Sequence, residues 1–179
     1  MTRGVRSIVG IVATLSVGGC TGYSQSGDGS PGASGYQWTS LYRQDVRTIA
    51  VPIFTNIDFS RGDEFSLTKA IVTQIEQRTP YKVVDREKAD TLLEGQITRV
   101  RLQNLSAERG SNLPQEQLYG VRVNFTWKDL RTGRVLRERR GFEQSNAFYP
   151  VLGEGRQTAS LNTTEQLALA IVQELQADW

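Results

Sequence analysis

Histidine is absent from this 179-residue chain, cysteine occurs once, and methionine stands only at position 1. Without histidine there is no Ser-His-Asp or Cys-His catalysis and no histidine-bound zinc. A lone Cys20 rules out an intramolecular disulfide. The longest apolar stretch, 7–17, is about eleven residues, half of what a membrane-spanning helix needs. Glycine-rich phosphate loops and Asp-rich calcium loops are missing as well. Lys plus Arg number 21 against 19 Asp plus Glu, so the chain lacks the basic excess that nucleic-acid binding requires. Adjacent carboxylates (Asp63 with Glu64, Asp85 with Glu87) lie at a helix start and in a charged turn, where solvated surface is the plain reading. The expectation is a protein without catalytic activity, metal, cofactor or nucleic-acid partner.

What is present begins at the N-terminus. Arg3 and Arg6 precede the apolar stretch, and Val17-Gly18-Gly19-Cys20 closes it. A short basic region, an apolar core and small residues form a signal peptide. The segment around Cys20 resembles the lipobox of bacterial lipoproteins, which assigns 1–19 to the signal peptide and Cys20 to lipidation. Acylation also accounts for an odd cysteine in an exported chain. Two or more acyl chains anchor firmly because each buried methylene contributes about 0.8 kcal/mol. Removal of 1–19 takes away Arg3 and Arg6 and no acid, leaving 19 charges of each sign. Thr21, in place of the aspartate that retains lipoproteins at the inner membrane of enteric bacteria, favours the outer membrane.

Residues 20–39 are rich in Gly and Ser and read as a lipidated, flexible tether. The folded domain is expected over 40–179, enough chain for one core. An aromatic arm, Tyr36, Trp38 and Tyr42, either docks on that domain or meets a partner.

Ile49, Val51 and Ile53 alternate as a strand ending near Phe54, with a loop to Gly62. Asp63 is a candidate cap for a helix presenting Phe65, Thr68, Ile71, Val72 and Ile75, which Thr79-Pro80 ends. Residues 81–84 form a short strand and 92–102 a longer one. The latter changes parity between Ile97 and Val100, marking either a bulge or a stretch buried on both faces. Residues 103–116 read as a polar loop. Tyr119, Val121, Val123, Phe125 and Trp127 then alternate strictly, and beyond a turn at 129–133 residues 134–144 return as the hairpin partner. A final helix presents Leu161, Thr164, Ala168, Ile171, Val172, Leu175 and Trp179, with Thr163 and Gln166 as a candidate capping box. The fold class is α+β, two helices on one face of a mostly antiparallel sheet of roughly four strands.

One charge cluster stands out, on the hairpin: Lys128, Arg131, Arg134, Arg137, Arg139 and Arg140. Charged residues protect a sheet edge from stray pairing, and arginine forks also suit phosphate or carboxylate. Lys128, Arg131, Arg134 and Arg137 are the candidates for contact with an anionic lipid or an acidic partner surface.

The lipobox cysteine, "SLYRQDVRTIAVPIFTN" at 40–56, "FSLTKAIVTQIEQRTPYKVVDREKADTLLEGQI" at 65–97 and "YGVRVNFTWKDLRTGRVL" at 119–136 together resemble the LptE family of lipopolysaccharide-assembly lipoproteins. The details are most similar to planctomycete LptE-like lipoproteins. The resemblance implies two helices on a four-stranded sheet, an LptD-like outer-membrane β-barrel as partner, and lipopolysaccharide or another anionic glycolipid as cargo. It implies a plug and chaperone of that barrel, lipid-anchored in the outer membrane with its domain on the periplasmic side. The 49–97 stretch also resembles periplasmic lipoproteins of the curli-channel and peptidoglycan-synthase-activator type, which stand as the alternative.

Overall fold

In a computed structural model the described residues are 40–111 and 113–176. The signal peptide, Cys20, Tyr36, Trp38 and Trp179 lie outside them.

The described chain runs β1 (Thr48–Ala50), β2 (Thr55–Asn56), α1 (Asp63–Arg78), β3 (Lys82–Val83), β4 (Thr91–Ala107), β5 (Pro114–Asp129), β6 (Val135–Phe148) and α2 (Arg156–Gln173). The sheet order is β3-β1-β4-β5-β6, with β2 also on β4. β1 pairs in parallel with β3 and β4, and β2 with β4, whereas β5 is antiparallel to both its neighbours. β5 alone therefore runs against the rest. The architecture is α+β as expected, with most pairing antiparallel, but the sheet has six strands rather than about four. The additional strands are pieces of two or three residues. Their pairing to β4 or β1 makes them strands, and segments so short carry no period of their own.

β5 lies between β4 and β6, and its strict alternation does what the sequence promised. Tyr119, Val121, Val123, Phe125 and Trp127 are all buried, and they share one core with Leu93 and Ile97 of β4, Leu67, Ile71 and Ile75 of α1, and Leu167, Ala168, Ile171 and Val172 of α2. Of the two causes foreseen for the parity change in β4, the bulge is the one found there. Register shifts between Ile97 and Arg99, so Ile97 and Val100 both face Val residues of β5, Val123 and Val121. Asp58 Oδ2 accepts the Val100 N–H at 3.1 Å on the side away from β5. At its start, Leu92 and Leu93 are both fully buried, so this part of the strand is covered on both faces. In β6, Arg140 and Gly141 stand against Asn124 alone. Gly141 adopts φ 66° there, a conformation side chains with a Cβ rarely take, and its N–H donates to Asn124 Oδ1 at 2.7 Å.

Several boundaries moved. Residues 103–107 and 114–116 belong to β4 and β5, not to a loop. Their polar side chains hide the strand because backbone pairing, not burial, holds them. Gly62, not Asp63, occupies the cap position of α1. The helix buries the row Asp63, Leu67, Ile71 and Ile75, leaving Phe65 60% exposed. α2 starts at Arg156, which places Thr163 in mid-helix; its hydroxyl donates to the Ala159 carbonyl at 2.8 Å and caps nothing. Leu161 stays exposed, and Ala159, Thr163 and Leu167 face inward instead.

Candidate functional site

The two ends of the domain differ in chemistry, and the lengths of the elements are the reason. β4 has 17 residues and β5 has 16, so at about 3.3 Å per residue their hairpin is about 55 Å long. α1 and α2 have 16 and 18 residues, about 24–27 Å at 1.5 Å each. The helices are about half as long as the hairpin; their starts meet β5 at Tyr119, and the hairpin beyond Tyr119 projects past them. β1 and β2 pair β4 only up to Ile97, so beyond the bulge β4 has no strand on its far side among the described residues.

Apolar residues gather at this projecting end. Leu102, Leu105 and Leu113 of the hairpin are about half exposed, Phe59 of the 57–62 loop is 100% exposed, and Leu152 of the 3-10 turn before α2 is 76% exposed. Phe59 lines an open cleft of about 590 Å³ together with Arg61, Arg156 and Leu161 at the starts of the helices. Underneath, a polar pin fastens β5 and both helices. Asp63 Oδ2 accepts the Tyr119 hydroxyl at 2.7 Å, and its Oδ1 accepts the Ser160 hydroxyl at 2.7 Å. Asp63 is only 8% exposed and Tyr119 1%. Burial, aided by the hydrogen bond to Asp63, raises the Tyr119 hydroxyl above its ordinary pKa. The Arg156 guanidinium lies 5.9 Å from the Tyr119 ring centre and donates to Ser60 Oγ at 2.9 Å. This tip went unread in the sequence, although Phe59, Leu105 and Leu113 stand conspicuously apolar within segments that read as loops. Phe59 and Leu102 line one cleft with Val100 and Arg156, and exposed apolar surface of this kind marks an interaction site.

The opposite end receives the chain from the N-terminal segment. The Tyr42 ring meets Tyr81 edge-on at 5.8 Å, and Tyr42 bridges to Gln176 just after α2. The Arg43 N–H donates to the Tyr81 hydroxyl at 3.0 Å. Tyr81 is 2% exposed, and burial pushes its hydroxyl up to about 12. Of the aromatic arm, Tyr42 therefore docks on the body.

The four hairpin candidates do not form one site. Trp127 pairs with Arg137, which turns Arg137 to the helix side of the sheet. There Arg137 Nε donates to the Glu174 carbonyl at 3.2 Å, and Arg139 grips the Glu174 carboxylate at 2.8 Å. These cations complement the C-terminal end of α2. Lys128, one residue out of phase with Trp127, points to the other face and bonds Glu94 at 2.6 Å. Arg131 lies 3.6 Å from Asp129 and donates to the Asp45 carbonyl at 3.3 Å. Arg134 is exposed, and its guanidinium meets no partner among the described residues.

Among the described residues no cluster of three His, Cys, Asp or Glu could hold a metal ion. Among them, too, no helix is long and apolar enough to cross a membrane.

This arrangement, an α+β domain with helices packed on a long antiparallel hairpin, is shared with solved bacterial structures. The PelC dodecamer from Paraburkholderia phytofirmans aligns at TM-score 0.52 and 17% identity over 78% of this chain and 96% of that one. Uncharacterized lipoprotein B from Nitrosomonas europaea aligns at 0.52 and 14% identity, covering 73% and 83%. The hypothetical protein CT253 from Chlamydia trachomatis aligns at 0.50 and 8% identity, covering 71% and 94%. At these identities the likeness is one of fold. Among curated proteins no sequence matches. The family is settled by sequence: residues 46–178 match LptE, Lipopolysaccharide-assembly, and the chain belongs to that family of lipopolysaccharide-assembly lipoproteins.

Proposed function

We propose that this chain is a lipid-anchored outer-membrane lipoprotein that serves as plug and chaperone of an LptD-like β-barrel during lipopolysaccharide transport. Cys20 carries the anchor, the domain stands on the periplasmic side, and the role is non-catalytic. The observation that supports this best is the apolar tip. Phe59 and Leu152, 100% and 76% exposed, sit at the end of the domain away from Tyr42, where the tether enters. An exposed apolar end calls for a partner to cover it. A barrel that encloses the projecting hairpin does so.

Purification of the tagged protein from its own outer membrane in mild detergent, followed by mass spectrometry, tests the reading. A stoichiometric large barrel is the expected companion. Phe59→Ser with Leu152→Ser should release it while leaving the fold intact, because both side chains are exposed. Recovery of a homo-oligomer or a peptidoglycan synthase, with no barrel, would refute the proposal.

A further inference from the structure

The basic end carries a second surface. Asp90 Oδ2 accepts the N–H groups of Arg47 and Thr48, both at 3.1 Å, and the Thr48 hydroxyl at 2.9 Å. The Leu130 N–H reaches the Asp90 carbonyl at 2.9 Å, and β3 pairs Lys82 with Thr48. These bonds bring four chain segments to one place: the entry strand, β3, the 3-10 turn Arg86–Lys88 and the hairpin turn. Their exposed charges are Arg47, Lys82, Arg86, Lys88, Arg131 and Arg134 against Asp45, Asp85 and Glu87. Two further carboxylates lie at this end, Asp129 and the half-buried Asp90. Asp129 is only 7% exposed. The Arg47 N–H first, then the Thr48 hydroxyl, hold Asp90 below the usual carboxylate range. Arg43 binds Asp45 at 2.8 Å and Arg131 lies 3.6 Å from Asp129, which leaves Asp85, Glu87 and half-buried Asp90 to face five exposed cations, Arg47, Lys82, Arg86, Lys88 and Arg134.

We infer that this end is a docking surface for anionic phospholipid headgroups, the layer in which the protein's own lipid is embedded. The inference takes from the proposed function only that Cys20 is lipidated. Twenty residues separate Cys20 from Ser40. The segment between them is rich in Gly and Ser. It joins the domain at Tyr42, three residues before Asp45, whose carbonyl Arg131 bonds. This end, and not the apolar tip, is therefore where the described chain leads back toward Cys20. Charge complementarity then orients the domain with its hairpin pointing away from the membrane. Lys128, Arg137 and Arg139 take no part, since Glu94 and Glu174 already answer them.

The described core draws every member from 46–175, so the domain holds together without the anchor. The chain from residue 21 onward, lacking any lipid, can therefore be mixed with vesicles and sedimented. It should partition onto phosphatidylcholine vesicles containing about one third phosphatidylglycerol, leave them as salt rises, and ignore pure phosphatidylcholine. Each basic residue near an anionic surface contributes about a fivefold gain in binding. Arg47→Gln, Lys88→Gln and Arg134→Gln together should therefore weaken partitioning about a hundredfold. Phe59→Ser with Leu152→Ser should leave it unchanged. Absence of binding to the anionic vesicles, equal binding to neutral ones, indifference to the triple substitution, or loss on changing the tip would each overturn the inference. No barrel and no acyl group enters the assay, so its failure is distinct from a failure of the proposed function.

Discussion

Gly95 of β4 stands opposite Phe125 with the Phe54 ring packed directly over it. A Cβ at position 95 would lie 2.2 Å from Phe54 Cε1 and 2.7 Å from both Cδ1 and Cζ. Ordinary contact begins near 3.4 Å, so the ring must retreat by about 1.2 Å. It has little room to do so. Phe54 is 1% exposed, and the Thr68 hydroxyl of α1 holds its N–H at 3.0 Å. Overpacking of this kind costs about 1–3 kcal/mol. The lower chain entropy of alanine in the unfolded state returns about 0.4–1 kcal/mol. Gly95→Ala should therefore destabilise the domain by about 1–2 kcal/mol. Urea denaturation reads this as a lower midpoint at unchanged slope. The cause is separable by a double-mutant cycle. In a Phe54→Leu background the smaller side chain vacates part of the space, and the coupling should be at least about 1 kcal/mol. A neutral Gly95→Ala, or the same loss in both backgrounds, would refute the account of a close approach between β4 and the β1–β2 connection.

The other predictions concern the two fastenings. Tyr81 is raised to about 12 by burial, above the ordinary tyrosine value near 10. Its contribution is therefore complete below about pH 10 and lost as pH rises toward 12, about 2–3 kcal/mol in all. Tyr81→Phe should flatten that alkaline limb in pH-dependent melts; an unchanged limb would contradict the burial argument. Tyr119→Phe removes one of the two hydroxyls on buried Asp63, a charged hydrogen bond worth about 1.5–3 kcal/mol. Its urea midpoint should fall accordingly. If Tyr119→Phe and Ser160→Ala cost the same together as the sum of the two alone, Asp63 is not shared as described.

The sequence by itself determined whatever depends on a local period. The strict alternation from Tyr119 to Trp127 marked β5 and its buried face, because side chains on a strand repeat every two residues. The break in rhythm of β4 between Ile97 and Val100 marked either a bulge or a doubly buried stretch, and the register of β4 on β5 decided for the bulge. Thr79-Pro80 ended α1 where expected, because proline restricts the residue before it.

The tertiary structure decided what depends on partners distant in the chain. Which row of α1 turns inward was set by packing against α2 and β5: Leu67 replaced Phe65, and Asp63 gave up capping to accept Tyr119 and Ser160. The polar residues at 103–107 became strand only because β5 supplies the opposing backbone. The hairpin cations looked like one cluster because they are adjacent in sequence. Strand parity sends Arg137 to one face and Lys128 to the other, and Glu174, 37 residues beyond Arg137, claims the first of them. Only the fold could reveal the apolar tip, because a hairpin longer than the helices that cover it must leave its far end bare.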